Sequence, residues 1–471
     1  MDENVMSVLQ LLQDGKISAQ EAETLIAALR GETAAPKTDK PKEEAKPAEK
    51  GRFNPLGDLN IKPPKIDLEH LGERISKAVA RVQPEKIVQK VQTQLRNATR
   101  ASAQWGISVS TRMRHWSEGT DVRPVNPGGL PEQADKHEQD FHLDAGATVY
   151  VENPLGNVSV VGIAEGPASV VVQKVVWGER AEDLKMVSEQ IEVNLHGTDT
   201  KLDIKVSAAD FFRNGTVDLE LQIPRSALPR VSTHFGSSEI SQMDGRVEAV
   251  TTAGPLHLHD LGGDARGETA SGSLRVERAA GMVTIATQSG DIQAETVGRG
   301  LSANSASGDV KATGVEGGRV ECKSVSGDVS VETVGTQAPL DITVESVSGS
   351  ATLRNANGNI AIKAVSGIVT AEDLAATRLQ AQTVSGNVQV RLREAFSGTM
   401  QVNTVSGNVE IGLPEGSNTR VSLSTASGEL HCEHSAENVM ATDTLWTGQI
   451  GTGAGTLNVQ TISGNTRISK G

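Results

Sequence analysis

The phrase "SVSGDVSVETV", residues 324–334, recurs with small changes through half of the chain. "TASGSLRVERA" precedes it, and "TVSGNVQVRL", "TVSGNVEIGL" and "TISGNTRI" follow. A short unit repeated at a steady period cannot close a core by itself and must bury its apolar face on copies of itself. Aligned on the glycine of each Ser-Gly pair or its degenerate equivalent, the markers are Gly236, Gly254, Gly272, Gly290, Gly308, Gly327, Gly349, Gly367, Gly386, Gly407, Gly428, Gly448 and Gly464. The first four intervals are 18 residues each, and later ones run from 16 to 22. A second glycine near mid-period, as at Gly245, Gly263 and Gly281, divides each unit into two strands and two turns.

The columns agree. Two residues after the marker stand Leu256, Leu274, Ile292, Val310 and Val329; four after stand Leu258, Val276, Ala294, Ala312 and Val331. The position between holds His257, Arg275, Gln293, Lys311 and Ser330. Such alternation predicts a strand with one buried face. The expected fold is mainly β: a solenoid of about 12 coils over residues 236–471, two short strands to each coil of about 19 residues. An aromatic content of only 2 % suits the thin core such coils enclose.

The repeated serine invites a nucleophilic reading, but about ten copies argue for turn chemistry. Glycine supplies the left-handed backbone, while Ser and the following Asp or Asn bond nearby amides. Cys322 and Cys432 occupy columns that hold Val, Ile or Ala elsewhere, so both read as small buried hydrophobes. They are expected to lie too far apart for a disulfide, and two cysteines suit a reducing compartment. "HLHD" at 257–260 and "HCEH" at 431–434 look like metal-ligand clusters on paper. A strand sends His431 and Glu433 to one face and Cys432 and His434 to the other, so the expectation is no metal and no cofactor.

The first 120 residues are of another kind. Val5, Val8, Leu9 and Leu12 have helical spacing, ended by Asp14-Gly15. Ser18 and Glu21 form a capping box for a second helix whose stripe is Ala22, Leu25, Ile26 and Leu29, stopped by Gly31. A two-helix hairpin over 1–31 is too small to be stable alone, so Leu9, Leu12, Leu25, Ile26 and Leu29 are candidate contacts with a protein partner or a second copy. Residues 32–60, dominated at first by Lys, Glu, Pro and Ala, predict a disordered tether.

Residues 61–118 predict a basic amphipathic helical segment. Leu68, Leu71, Ile75, Val79 and Val82 follow helical spacing, Pro84 interrupts it, and Val88, Val91 and Leu95 resume it. Eleven Lys and Arg against four Asp and Glu between Ile61 and Trp116 leave +7 in a chain whose net charge is -14. Three readings compete: a layer packed on the acidic β-domain or another copy, an interfacial helix on an anionic membrane, or nucleic-acid contact. The first is favoured, and no nucleic-acid motif accompanies the charge. On the membrane reading the contacts are Trp105, Trp116, Arg112 and Arg114.

Residues 139–235 carry non-repeating strands and a short helix at "ERAEDLKMVSEQI", the expected lead-in and cap of the solenoid. "VYVENPLGNVSVVG", "VDLELQIPRSALPRVSTHFGSSEI" and the serial Ser-Gly-Asp coils resemble the bacterial putative-adhesin family of β-strand-repeat proteins, over roughly 141–471. "DGKISAQEAETLIAAL" looks like the SHOCT-like helical module. The resemblance implies a β-solenoid, no catalytic residues, and in some relatives a link to cell-envelope stress.

No apolar run approaches the roughly 20 residues a membrane helix needs, and the first residues carry no basic region followed by a cleavage site. The expected location is therefore cytoplasmic, extending to the inner face of the membrane. The expected function is a non-enzymatic scaffold or interaction protein. The alternative is a scaffold that self-assembles end to end, since "TISGNTRISKG" reads as an open terminal coil. A carbohydrate-active β-helix enzyme ranks last, because Phe396 and Trp446 are the only aromatics along the coils.

Overall fold

The computed structural model describes residues 126, 128–208 and 212–471. The hairpin, the tether, the basic segment and Phe211 lie outside the described residues. So do Leu9, Leu12, Leu25, Ile26, Leu29, Trp105, Arg112, Arg114 and Trp116.

Among the described residues 31 strands join one sheet system that runs as two parallel ladders. Ladder A is built from strands that follow the Ser-Gly turn, such as Leu256–Leu261, Leu274–Ala279 and Ile292–Val297. Ladder B is built from strands that lead into it, such as Val247–Ala253, Ala265–Ser271 and Val283–Ser289. Leu256, Leu274, Ile292, Val310, Val329 and Ala351 stack in register, so the column read from the sequence is a physical column. The chain is a β-solenoid.

The order of coils in space is not their order in the chain. Strands Thr148–Leu155 and Val158–Ile163 form a coil that pairs on one side with Lys201–Ala208 and Gly215–Pro224. On its other side it pairs with Leu228–Phe235 and Ser238–Ser241. The marker column therefore reaches into the lead-in, with Gly156 beneath Gly236. At the far end, Gly455–Gln460 and Thr466–Lys470 pair with the coil of Thr399–Asn403 and Val409–Leu413. They pair equally with the coil of Thr419–Ser424 and Leu430–Cys432. The last residues of the chain thus fill an interior coil, which corrects the expectation of an open terminal one. Gly448 is not a marker; it lies on the antiparallel strand Leu445–Ile450, and Gly464 stacks directly on Gly428.

Antiparallel strands cover both ladders at the first end and ladder B at the other. Ile191–Thr198 covers ladder B at the first end, and Ala168–Trp177 with Glu132–Phe141 covers ladder A. At the other end Leu445–Ile450 and Glu437–Ala441 cover ladder B. Ladder A stops there at the three-residue strand Leu430–Cys432, and a short edge offers little template for further pairing. The helix expected between the lead-in strands is present as Leu184–Glu189.

Three columns specify each turn. Six residues after most markers the backbone is left-handed at non-glycine residues, with φ near 55° at Gln242, Asp260, Arg278, Thr296, Thr333 and Asp373. That kink costs about 1 kcal/mol per residue. It resets the alternation, so that the next side chain (Leu261, Ala279, Val297, Val334 and Leu374) enters the core. Three residues before the marker, a buried Ser or Thr hydroxyl donates to the carbonyl of the marker glycine in the adjacent coil: Ser324 to Gly308 and Ser346 to Gly327, both at 2.9 Å. One residue after the marker, the Asp or Asn carboxyl or amide oxygen accepts from the next coil's backbone, as when Asp328 N donates to Asp309 Oδ1 at 2.8 Å. These turn bonds run between coils rather than within each turn, so every unit depends on its neighbour.

Candidate interaction surfaces

Four residues before each marker, ladder B presents a side chain between two core-facing positions, so alternation turns it away from the apolar interior. Such residues are ordinarily wet. Here Glu268, Asn304, Lys323, Glu345, Gln382 and Asn403 are all buried. Residues two positions away on the same face, such as Glu321 and Val325, are half-buried. These residues form a buried polar row, the furrow, on the outer side of ladder B.

Its centre is an ion-pair ladder over consecutive coils. Lys323 Nζ lies 2.6 Å from Glu321 Oε1 and 2.9 Å from Glu345 Oε2, while Lys363 Nζ reaches Glu345 Oε1 at 2.9 Å. Burial alone would raise the Glu345 carboxyl, but Lys363 and Lys323 outweigh it and hold the group below its ordinary range. Lys323 is the mirror case: burial would lower it, yet Glu321 and Glu345 keep it above its ordinary value. Glu268 has only Arg266, 2.7 Å away, and the nearby Glu248 opposes ionisation; burial wins and its carboxyl is raised. Further along, Gln382 and Asn403 are neighbours in register, and both atoms of each amide are buried without a hydrogen-bond partner. An unpaired buried amide costs about 1–3 kcal/mol per group, so this stretch carries a cost that the hydrogen bonds of the fold do not offset.

Beside this row runs an apolar stripe. Val325, Val347, Val365, Val384, Val405 and Ile462 stand two residues before successive markers and are half-buried. The Ser366 amide donates to Val347 O, Ser385 to Val365 O, Ser406 to Val384 O and Ser463 to Val405 O, each at 2.9 Å, which fixes them one above another. At ~4.8 Å per coil the stripe is about 24 Å long, the length of some 16 residues of helix. The signal for this stripe in the sequence is the "V" of "SVSG" and "TVSG".

The remaining sequence candidates separate. Cys322 is fully buried and its thiol is pushed up to about 12 by burial. Cys432, expected to be buried, is half-buried because its strand is the last of ladder A. Both are free. In "HCEH" the parts diverge: His434 Nε2 lies 3.1 Å from Leu413 O, and Glu433 pairs with Arg467. Phe396 is a core residue, so it is no sugar platform.

A family model described as Toastrack matches residues 183–469, more than half of the chain. The chain belongs to the Toastrack family. A second model, a SHOCT-like domain, matches residues 3–34, the hairpin read from its capping box. No curated protein matches the chain. Among solved structures, this Toastrack chain is similar to one described as a putative adhesin from Parabacteroides distasonis, at 12 % identity and TM-score 0.26, over 71 % of this chain and 97 % of that one. A second protein of that organism, described as a putative lipid binding protein, aligns at 11 % identity and TM-score 0.23, over 72 % and 97 %. A putative adhesin from Bacteroides fragilis aligns at 12 % identity and TM-score 0.16, over 74 % and 99 %.

Proposed function

We propose that this Toastrack chain is a non-enzymatic interaction scaffold whose furrow and valine stripe receive an amphipathic basic helix, in the first place the chain's own segment from Leu68 to Trp116. The observation that carries the reading is the stripe Val325–Ile462 beside a row of buried, partly unpaired polar groups. Length fits. The stretch from Leu68 to Val82 spans about 21 Å as a helix, close to the stripe. The SHOCT-like hairpin would then recruit a protein partner or a second copy. A segment that leaves the furrow would present Trp105, Trp116, Arg112 and Arg114 to an anionic bilayer, placing the scaffold at the inner face of the cell envelope.

The test uses the full chain and a Val365→Glu/Val384→Glu double variant. Trypsin cleavage within residues 68–116 is expected to be slow in the wild type and fast in the variant. Pelleting with anionic vesicles is expected to rise in the variant. Equal, fast cleavage in both proteins would overturn the docking. Wild-type pelleting with anionic but not neutral vesicles at the outset would assign the segment to the membrane instead.

A further inference from the structure

His257 and His259 lie on one strand of ladder A, two residues apart, so both rings leave the same outer face. The adjoining strands put a carboxylate beside each ring: Glu239 pairs in register with His257, and Glu277 with His259. Among the described residues, Glu239, His257 and His259 are the one group of His, Cys, Asp and Glu side chains whose ligand atoms converge, all lying within 4.8 Å of one another. His259 Nε2 is 3.1 Å from Glu239 Oε1, and His257 Nε2 is 3.5 Å from Glu277 Oε1. Ligand atoms of a tetrahedral ion with bonds near 2.0–2.1 Å stand about 3.3–3.4 Å apart, so small side-chain movements would bring these donors onto one ion.

The surrounding groups match what a metal-binding histidine requires. His259 Nδ1 is 3.1 Å from Asp260 Oδ2, which fixes the ring and leaves Nε2 facing Glu239. Asp260 is in turn gripped by Arg278, with Nε 2.6 Å from Oδ1 and Nη2 3.1 Å from Oδ2. A carboxylate behind the imidazole is the usual outer partner of a ligating histidine. His257 Nε2 is buried and makes no hydrogen bond, its nearest charged neighbour being Glu277 Oε1 at 3.5 Å. Glu277 is engaged by Arg275 and Arg278, which leaves the fourth position to water or to a donor from a bound molecule.

We propose that His257, His259 and Glu239 form a binding site for a divalent cation of the zinc class, oriented by Asp260 and set across two adjacent coils. Nitrogen and carboxylate donors in this mixture select borderline transition metals over calcium or magnesium. The site stands on the outer face of ladder A and is independent of the furrow. The plain alternative is an ion-pair cluster that binds no metal.

The experiment is calorimetric titration of chelator-stripped full-length protein with zinc sulfate. Wild type is expected to take up one equivalent that a His257→Gln/His259→Gln variant loses and a His431→Gln variant keeps. Asp260→Asn should weaken that uptake roughly 10–100-fold. Cobalt(II) on the wild type should give the intense visible bands of a tetrahedral site, absent in the double variant. The variants' circular dichroism should match wild type, since the substituted rings are part-exposed; should the double variant misfold, Glu239→Gln carries the same comparison. No uptake by the wild type, or equal uptake by the folded His or Glu variants, overturns the site.

Discussion

The Gly464 amide donates to the Ser427 carbonyl at 2.9 Å, so the last Ser-Gly turn of the chain rests against a turn formed 37 residues earlier. On its other face the Gly407 amide donates to Ser463 O at 3.0 Å. The C-terminal coil is therefore clamped from both sides, and Ile468 is fully buried. Ile468→Ala should cost about 2–5 kcal/mol, the range of a core cavity, although it is the fourth residue from the end. Leu430→Ala, on the half-exposed edge strand, should cost less. Denaturant midpoints of the two variants decide it, and near-zero cost for Ile468→Ala would contradict the inserted coil.

The marker glycines stack backbone on backbone. At Gly308, φ is +141°, and an added Cβ would stand 2.2 Å from Gly290 O. Gly416 has φ of +85°, but its nearest neighbour would be Ala395 Cβ at 3.8 Å. Gly308→Ala meets both strain and a backbone clash, whereas Gly416→Ala meets strain alone, of order 1 kcal/mol. The expected result is a distinctly larger fall in melting temperature for Gly308→Ala, measured calorimetrically.

How much of this was legible follows from what a one-dimensional pattern can encode. The inward columns from Leu256 to Ile468 were readable because every coil repeats the same alternation. The left-handed kink at Asp260, Arg278 and Thr296 was not, because residues of unlike chemistry occupy it and only the backbone is shared. The reordered ends were invisible for another reason. Stacking Gly464 between Gly407 and Gly428 leaves each local phrase intact, and a stray glycine at 448 filled the gap at a plausible spacing. The furrow was hidden by its own composition: Lys323, Glu345, Gln382 and Asn403 look like a solvated face, and nothing in their identity announces burial.

Two buried glutamates in that furrow should respond to pH with opposite sign. The Glu345 carboxyl lies below its unfolded value of about 4.3, so its ionised form stabilises the fold above that pH, and the contribution is lost as pH falls through the folded value. Glu268 lies above it, so its ionised form destabilises the fold at neutral pH, a cost relieved as pH falls through the raised value toward 4.3. Glu345→Gln at pH 7 should therefore lose roughly 1.5–3 kcal/mol, and Glu268→Gln should be neutral or stabilising. Urea titrations at pH 7 and pH 4 test both; stabilisation by Glu345→Gln would show that the Lys323 and Lys363 pairs do not repay their burial.

The two thiols offer a reading of how the stack opens. Thiolate is the reactive form, and burial raises both groups, Cys322 to about 12 within the interior and Cys432 less deeply at the edge. Nearest-neighbour stacking predicts that end coils open at lower free energy than central ones. A thiol reagent at neutral pH should therefore modify Cys432 in native protein well before Cys322. Deleting residues 455–471 removes the coil that joins Leu430–Cys432 to the rest, and should accelerate Cys432 modification while Cys322, six layers deeper, stays slow. Mass spectrometry of timed, quenched reactions reads both sites at once. Equal rates at the two cysteines would mean that the solenoid opens as one cooperative unit.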